Sequence, residues 1–144
     1  MLRLLLLRHA KAERGQSGGR DHERTLAPRG RDDAPRLGAY MARHRLIPDL
    51  ALVSTATRTR ETWALAAPAF AKPPPVEFEE QVYEATPQSI LKVIGSVGPE
   101  VRTLLVVGHN PGLQELAAML AATGDVDLRQ RDRKSTRLNS SHRT

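Results

Sequence analysis

Apolar and polar positions along the chain fall into short blocks of two kinds. Leu4 to Leu7 is a continuous apolar run that ends at the charged pair Arg8-His9. Leu50 to Val53 runs into Ser54, and Thr103 to Val107 runs into Gly108, in the same manner. Short apolar runs closed by polar residues describe strands buried on both faces, as in the middle of a parallel sheet. Val76 to Glu80 alternates and predicts a further strand. Between these blocks the apolar period lengthens. Pro28 can open a helix, in which Ala34, Leu37, Gly38, Met41 and Arg45 share a face and Pro35 is expected to produce a kink. A second helix is predicted from about Thr57 to Ala67, closed off by Pro73-Pro74-Pro75. Thr86-Pro87 starts a third, with Ile90, Leu91 and Ile94 on its apolar face. Asn110 is expected to cap a fourth, with Pro111 at its first position and Leu113, Leu116, Ala117 and Leu120 facing inward. Ala10 to Ala27 is polar, carries Gly15, Gly18 and Gly19, and reads as a long loop.

Strands thus alternate with helices four times. The pattern predicts an α/β fold, a three-layer αβα sandwich around a mainly parallel sheet. In such sheets ligands bind beyond the carboxyl ends of the strands. Arg8-His9 and Gly108-His109-Asn110 each stand at such an end.

Composition narrows the class. A length of 144 residues suits one domain, and aromatics of only 3 % leave the core to Leu, Val and Ala. The absence of cysteine removes disulfides, thiolate chemistry and Cys-based zinc sites, and it fits a cytoplasmic location. The N-terminal apolar run is cut by Arg8 too early for a signal peptide or a membrane span, so no membrane partner is expected. The net charge is +6, but the segment from Asp132 to Thr144 holds four basic residues against one acid and so supplies half of it. No basic run is interleaved with aromatics, and a nucleic-acid partner is not expected either.

Two histidines at strand ends, with arginines beside them, suggest phosphoryl chemistry. A neutral imidazole can attack phosphorus and hold the group covalently, provided a carbonyl fixes its tautomer. The transferring dianion spreads charge over its oxygens, which suits guanidinium forks and a second imidazole. Arg8, next to His9, and Arg58, just after the second strand, are placed to supply the forks. An isolated Arg-His pair is usually a surface coincidence. The reading rests on its company: Ser54-x3-Arg58-x3-Thr62 after the second strand and Gly108-His109-Asn110-Pro111 after a late one. His22, His44 and His142 lie in polar stretches and receive no role, and Arg60 is read as a surface residue.

These segments resemble the SixA-like phosphohistidine phosphatases, a branch of the histidine phosphatase (phosphoglycerate mutase-like) superfamily. The resemblance covers about residues 1–128. "LLLLRHAKA" is similar to the nucleophile motif, with Ala10 where many members have Gly; "DHERTLAPRGRDDA" is similar to the following loop and helix entry. "LVSTATRTRETW" resembles the Ser/Arg/Thr motif, and "LLVVGHNPGLQEL" is the most specific stretch. The resemblance implies that His9 is the nucleophile and that Arg8, Arg58 and His109 bind the phosphoryl group. It implies a leaving-group acid after the third strand, where Glu84 stands nearest and Glu79 and Glu80 compete with it. Arg24 and Arg20, in the long loop, are weaker candidates for substrate contact. The implied activity is a metal-independent phosphatase without cofactor, working through a phosphohistidine intermediate. The implied partner is a phosphorylated protein such as a phosphotransfer domain. Alternatives are a small phosphorylated molecule handled by a phosphomonoesterase or mutase-type enzyme, and a phosphate-binding module without turnover.

Beyond residue 128 the resemblance stops. "DRKSTRLNSSH" has no apolar period and resembles the in-frame translation of a short-read sequencing adapter. Residues 129–144 are therefore read as a disordered tail of artefactual origin. Residues 1–128 are read as a domain that lacks its C-terminal sheet element.

Overall fold

A computed structural model describes residues 2–15 and 18–123. Four strands, β1 (Arg3–Arg8), β2 (Leu50–Ser54), β3 (Val76–Glu79) and β4 (Thr103–Gly108), form one sheet in the order β1-β4-β2-β3. Every pairing among them is parallel. Helices α1 (Pro28–Arg43), α2 (Thr57–Ala66), α3 (Pro87–Gly95) and α4 (Gly112–Thr123) complete the alternation. The expectations for residues 129–144, and for a missing sheet element, lie outside the described residues.

The unbroken apolar runs make the three layers. Successive side chains of a strand point to opposite faces, so a run such as Leu4 to Leu7 must be covered twice. On one face Leu4, Leu6, Leu52, Leu104 and Val106 pack with Ile90, Val93 and Ile94 of α3 and with Leu113 and Leu116 of α4. On the other face Leu5, Leu7, Val53, Leu105 and Val107 pack with Met41 of α1 and with Trp63 and Ala66 of α2. The outer strand β3 differs: Val76 and Phe78 are exposed, and the Arg60 guanidinium lies 4.6 Å from the Phe78 ring centre on the surface, as its position suggested.

Two local expectations change. Helix α1 runs from Pro28 to Arg43 with Pro35 inside it, and Arg45 is not on its buried face. Arg45 instead takes a left-handed conformation (φ 58°), and Leu46 N–H and Arg45 N–H close back on the carbonyls of Met41 and Ala42. This is a Schellman ending, sealed by Leu46 and Met41 in the same core cluster. Its usual sequence signal, a glycine, is absent here. Asn110 does not cap α4, since its Oδ1 has no hydrogen-bond partner among the described residues; the His109 and Pro111 carbonyls accept from Leu113 and Glu115 instead. Thr86 does cap α3, accepting from Ser89 N–H at 3.2 Å. No described helix is long and apolar enough to cross a membrane.

Candidate active site

The strand order sets the site. β4 lies between β1 and β2, so chain segments that follow β1, β4, β2 and β3 line up along one carboxyl edge. They deliver His9, His109, Ser54 with Arg58, and Tyr83 with Glu84, in that order. A crevice beyond the carboxyl ends, where neighbouring strands are not consecutive in the chain, is the usual ligand position in open parallel sheets.

His9 extends the β1–β4 ladder by one bond, its N–H donating to the Gly108 carbonyl at 3.1 Å. The next N–H, of Ala10, donates to Thr62 Oγ1 at 3.0 Å, and Thr62 Oγ1 in turn donates to the Arg58 carbonyl at 2.7 Å. The Ser54-x3-Arg58-x3-Thr62 spacing is thereby explained. Arg58 and Thr62 stand one turn apart on α2, and Thr62 fastens the chain after His9 to the turn that carries Arg58. His9 Nδ1 lies 2.7 Å from the Ala10 carbonyl oxygen. A carbonyl only accepts, so Nδ1 carries the proton and Nε2 keeps its lone pair. Burial holds the His9 pKa below 6.5, the Ala10 bond opposes it, and Arg58, Arg8 and Arg24 add to the lowering. His9 is therefore neutral near pH 7.

His109 is buried, with its ring centre 5.3 Å from that of His9 and 5.4 Å from that of Tyr83. Its Nε2 lies 2.8 Å from Ser54 Oγ. Burial first, then the nearby Arg58 charge, pushes its pKa down to about 3. Arg58 is 2 % exposed, and its charge is met by hydrogen bonds. It donates to the Asp21 carbonyl at 2.8 Å, to Asp21 Oδ2 at 3.1 Å and to Glu84 Oε1 at 3.3 Å. Asp21 is the hub of the outer network: Tyr83 O–H donates to its Oδ2 at 2.5 Å and Arg24 Nη1 to its Oδ1 at 2.9 Å. The Tyr83 bond, then those from Arg24 and Arg58, hold the Asp21 carboxyl well below the usual carboxylate range against the effect of burial. Burial and the same Asp21 bond raise the Tyr83 pKa and keep the phenol protonated.

Of the residues singled out in the sequence, His9, Arg58, His109 and Glu84 converge, and Arg24 joins through Asp21. Arg8 is exposed and makes no side-chain hydrogen bond or ion pair among the described residues; it borders a groove with His9, Ala10, Asp33, Arg36, Leu37 and Tyr40. Glu79, at the end of β3, lines a different pocket with Leu50 and Val93. Arg20 lines a surface pocket with Glu13 and Arg24. The structure adds Asp21 and Tyr83, which sequence reasoning passed over, and it places His22, which was given no role, close to them. That residue belongs to the site surroundings, with Nε2 2.8 Å from Thr55 Oγ1 and its ring 4.8 Å from Tyr83. A one-turn 3-10 helix at Asp21–Glu23 folds the loop back toward Thr55 and Arg58, just after β2. The "DHER" segment was the available signal. Its Asp and Arg stand three apart, the spacing that brings the two side chains together here.

A sequence profile of the histidine phosphatase superfamily (branch 1) matches residues 4–87. An uncharacterized protein of Mycobacterium tuberculosis (strain H37Rv) is 38 % identical over 138 residues, covering 94 % of this chain and 82 % of that protein. Among solved structures, a candidate SixA phosphohistidine phosphatase from Agrobacterium tumefaciens is 34 % identical with a TM-score of 0.74, over 80 % of this chain and 74 % of that one. A candidate SixA phosphohistidine phosphatase from Nakamurella multipartitia is 33 % identical with a TM-score of 0.69, over 78 % and 62 %.

Proposed function

Because this chain belongs to the histidine phosphatase superfamily, we propose that it is a metal-independent phosphatase that passes a phosphoryl group through His9. One observation carries the reading. The neutral His9 imidazole is held by Ala10 with Nε2 unbonded among the described residues, beside a buried guanidinium and a second imidazole. Nε2 attacks phosphorus, the bond to the leaving group breaks, and the leaving atom takes a proton. Water then attacks the phosphohistidine, gives up a proton and releases inorganic phosphate and neutral His9. Arg58 and His109 donate to the equatorial oxygens where charge spreads. Arg8 and Arg24 add positive potential around His9. Glu84 supplies the proton for basic leaving groups.

The substrate we propose is a phosphohistidine on a protein, such as a phosphotransfer domain, in the cytoplasm. Similarity to the Agrobacterium protein supports it. A protonated phosphoramidate nitrogen leaves readily, so such a substrate makes little demand on an acid. The test measures phosphate release from a phosphohistidine-bearing phosphotransfer domain and from a colourless aryl phosphate, with and without chelator. Release from both, unchanged by chelator, supports the reading. Release from the aryl phosphate alone points to a small-molecule phosphomonoesterase. Phosphate binding without release would make the chain a binding module, and loss of activity with chelator would refute the metal-free mechanism.

A further inference from the structure

We propose that Ser54 is a positioning residue that fixes His109 in its Nδ1–H tautomer, making Nδ1 a preorganised donor to a phosphoryl oxygen. The inference rests on the phosphatase reading for its ligand, but the tautomer follows from hydrogen-bond accounting alone.

Ser54 ends β2 and is fully buried, and His109 follows β4 at 4 % exposure. A hydroxyl offers one proton and two lone pairs. Ser54 Oγ accepts from Ala56 N–H at 3.3 Å, and that contact uses a lone pair. The hydroxyl proton still needs an acceptor, because a buried donor without one is strongly disfavoured. Among the described residues its one remaining side-chain partner is His109 Nε2, at 2.8 Å. The hydroxyl therefore donates and Nε2 accepts. A neutral imidazole whose Nε2 accepts carries its proton on Nδ1. The opposite tautomer would leave the Ser54 proton without an acceptor inside the core.

His109 Nδ1 is itself buried and has no hydrogen-bond partner among the described residues. In this tautomer it is an N–H donor whose acceptor is missing, in a ring 5.3 Å from that of His9. Unsatisfied buried polar atoms are few in native proteins and concentrate where a ligand completes them. A phosphoryl group on, or approaching, His9 brings anionic oxygens to this place, and an N–H is the group they can use. The other tautomer would turn a lone pair toward them. Burial, and after it the neighbouring Arg58 charge, keeps His109 neutral, so the choice of tautomer, and not protonation, decides whether it donates.

The test is the imidazole nitrogen spectrum of the ¹⁵N-labelled full chain at pH 7, with the His109 signals assigned by their loss in His109→Gln. The expected pattern is a protonated Nδ1 and an unprotonated, hydroxyl-bonded Nε2. Adding inorganic phosphate should shift the Nδ1–H signal downfield as it gains an acceptor. Ser54→Ala should mix the tautomers and weaken phosphate binding by about tenfold, the scale of one hydrogen-bond donor, and Ser54→Thr should restore both. A proton on Nε2 in the parent chain would overturn the proposal without reference to any activity. A correct tautomer with an Nδ1–H signal indifferent to bound phosphate would overturn the donor role. Failure of the phosphatase reading shows separately, as absent phosphate release in the hydrolysis assay.

Discussion

Acidification should weaken the fold through His109 in particular. Its pKa stands at about 3 in the folded chain against 6.5 for the free side chain, because the ring is buried beside the Arg58 guanidinium. As pH falls through 6.5 the unfolded chain takes up this proton and the folded chain does not. Stability is therefore whole above about 6.5 and declines as pH drops, by up to about 1.4 kcal/mol per pH unit for this one group. The decline ends only near pH 3, where the folded ring also protonates. Between pH 7 and pH 5 the loss assignable to His109 is about 2 kcal/mol, a substantial part of a stability of about 5–15 kcal/mol. The measurement is urea unfolding of the parent and of His109→Gln at both pH values. Comparing the two pH-dependent losses cancels the effects of His9 and of the carboxylates. The parent should lose about 2 kcal/mol more than the variant. Equal losses would show that the ring is not held neutral by its surroundings, and the donor geometry built on a neutral His109 would fall with it.

Arg58→Lys keeps the charge but cannot reproduce the three bonds to Asp21 and Glu84; kcat/KM should fall about 10²-fold or more, and parental kinetics would exclude Arg58 from the phosphoryl pocket. Glu84→Gln should slow hydrolysis of alkyl phosphates, whose leaving groups are basic, and spare aryl phosphates and phosphohistidine; equal losses on all three would make Glu84 structural. The acid limb of kcat/KM should lie below pH 6.5, since the lowered pKa of His9 preserves the neutral nucleophile into mild acid; a limb above 6.5 would mean that His9 is not the group observed.

The fold was legible because three of its strands are buried on both faces. A run such as "LLLL" or "LLVV" leaves no choice of face, and the polar residue that ends it marks the carboxyl edge where His9 and His109 stand. Helix starts with a proline at the first position, Pro28 and Pro87, were equally visible. The end of α1 was not, because a left-handed cap filled by Arg45 carries none of the glycine signal. Strand order was also out of reach: the insertion of β4 between β1 and β2 is a long-range choice, and it puts the two histidines on neighbouring strands. The same distance in sequence hid Asp21. Its partners Arg58 and Tyr83 lie 37 and 62 residues away, and no local pattern ties a loop aspartate to either. The nearness of His22 to Tyr83 was hidden for a related reason, since a polar neighbourhood along the chain says little about where a loop folds in space.

The central claim is that His9 carries the phosphoryl group, and trapping it is the most direct test. The protein is mixed with ³²P-labelled substrate, denatured within the first turnover, and the label on it is followed through acid and base. The parent should hold a phosphoenzyme that acid destroys and base preserves, the behaviour of a phosphoramidate, and His9→Ala should hold none and turn over no substrate. A labelled protein that survives acid, or a His9→Ala variant that still forms the intermediate or hydrolyses substrate at the parental rate, would contradict the mechanism.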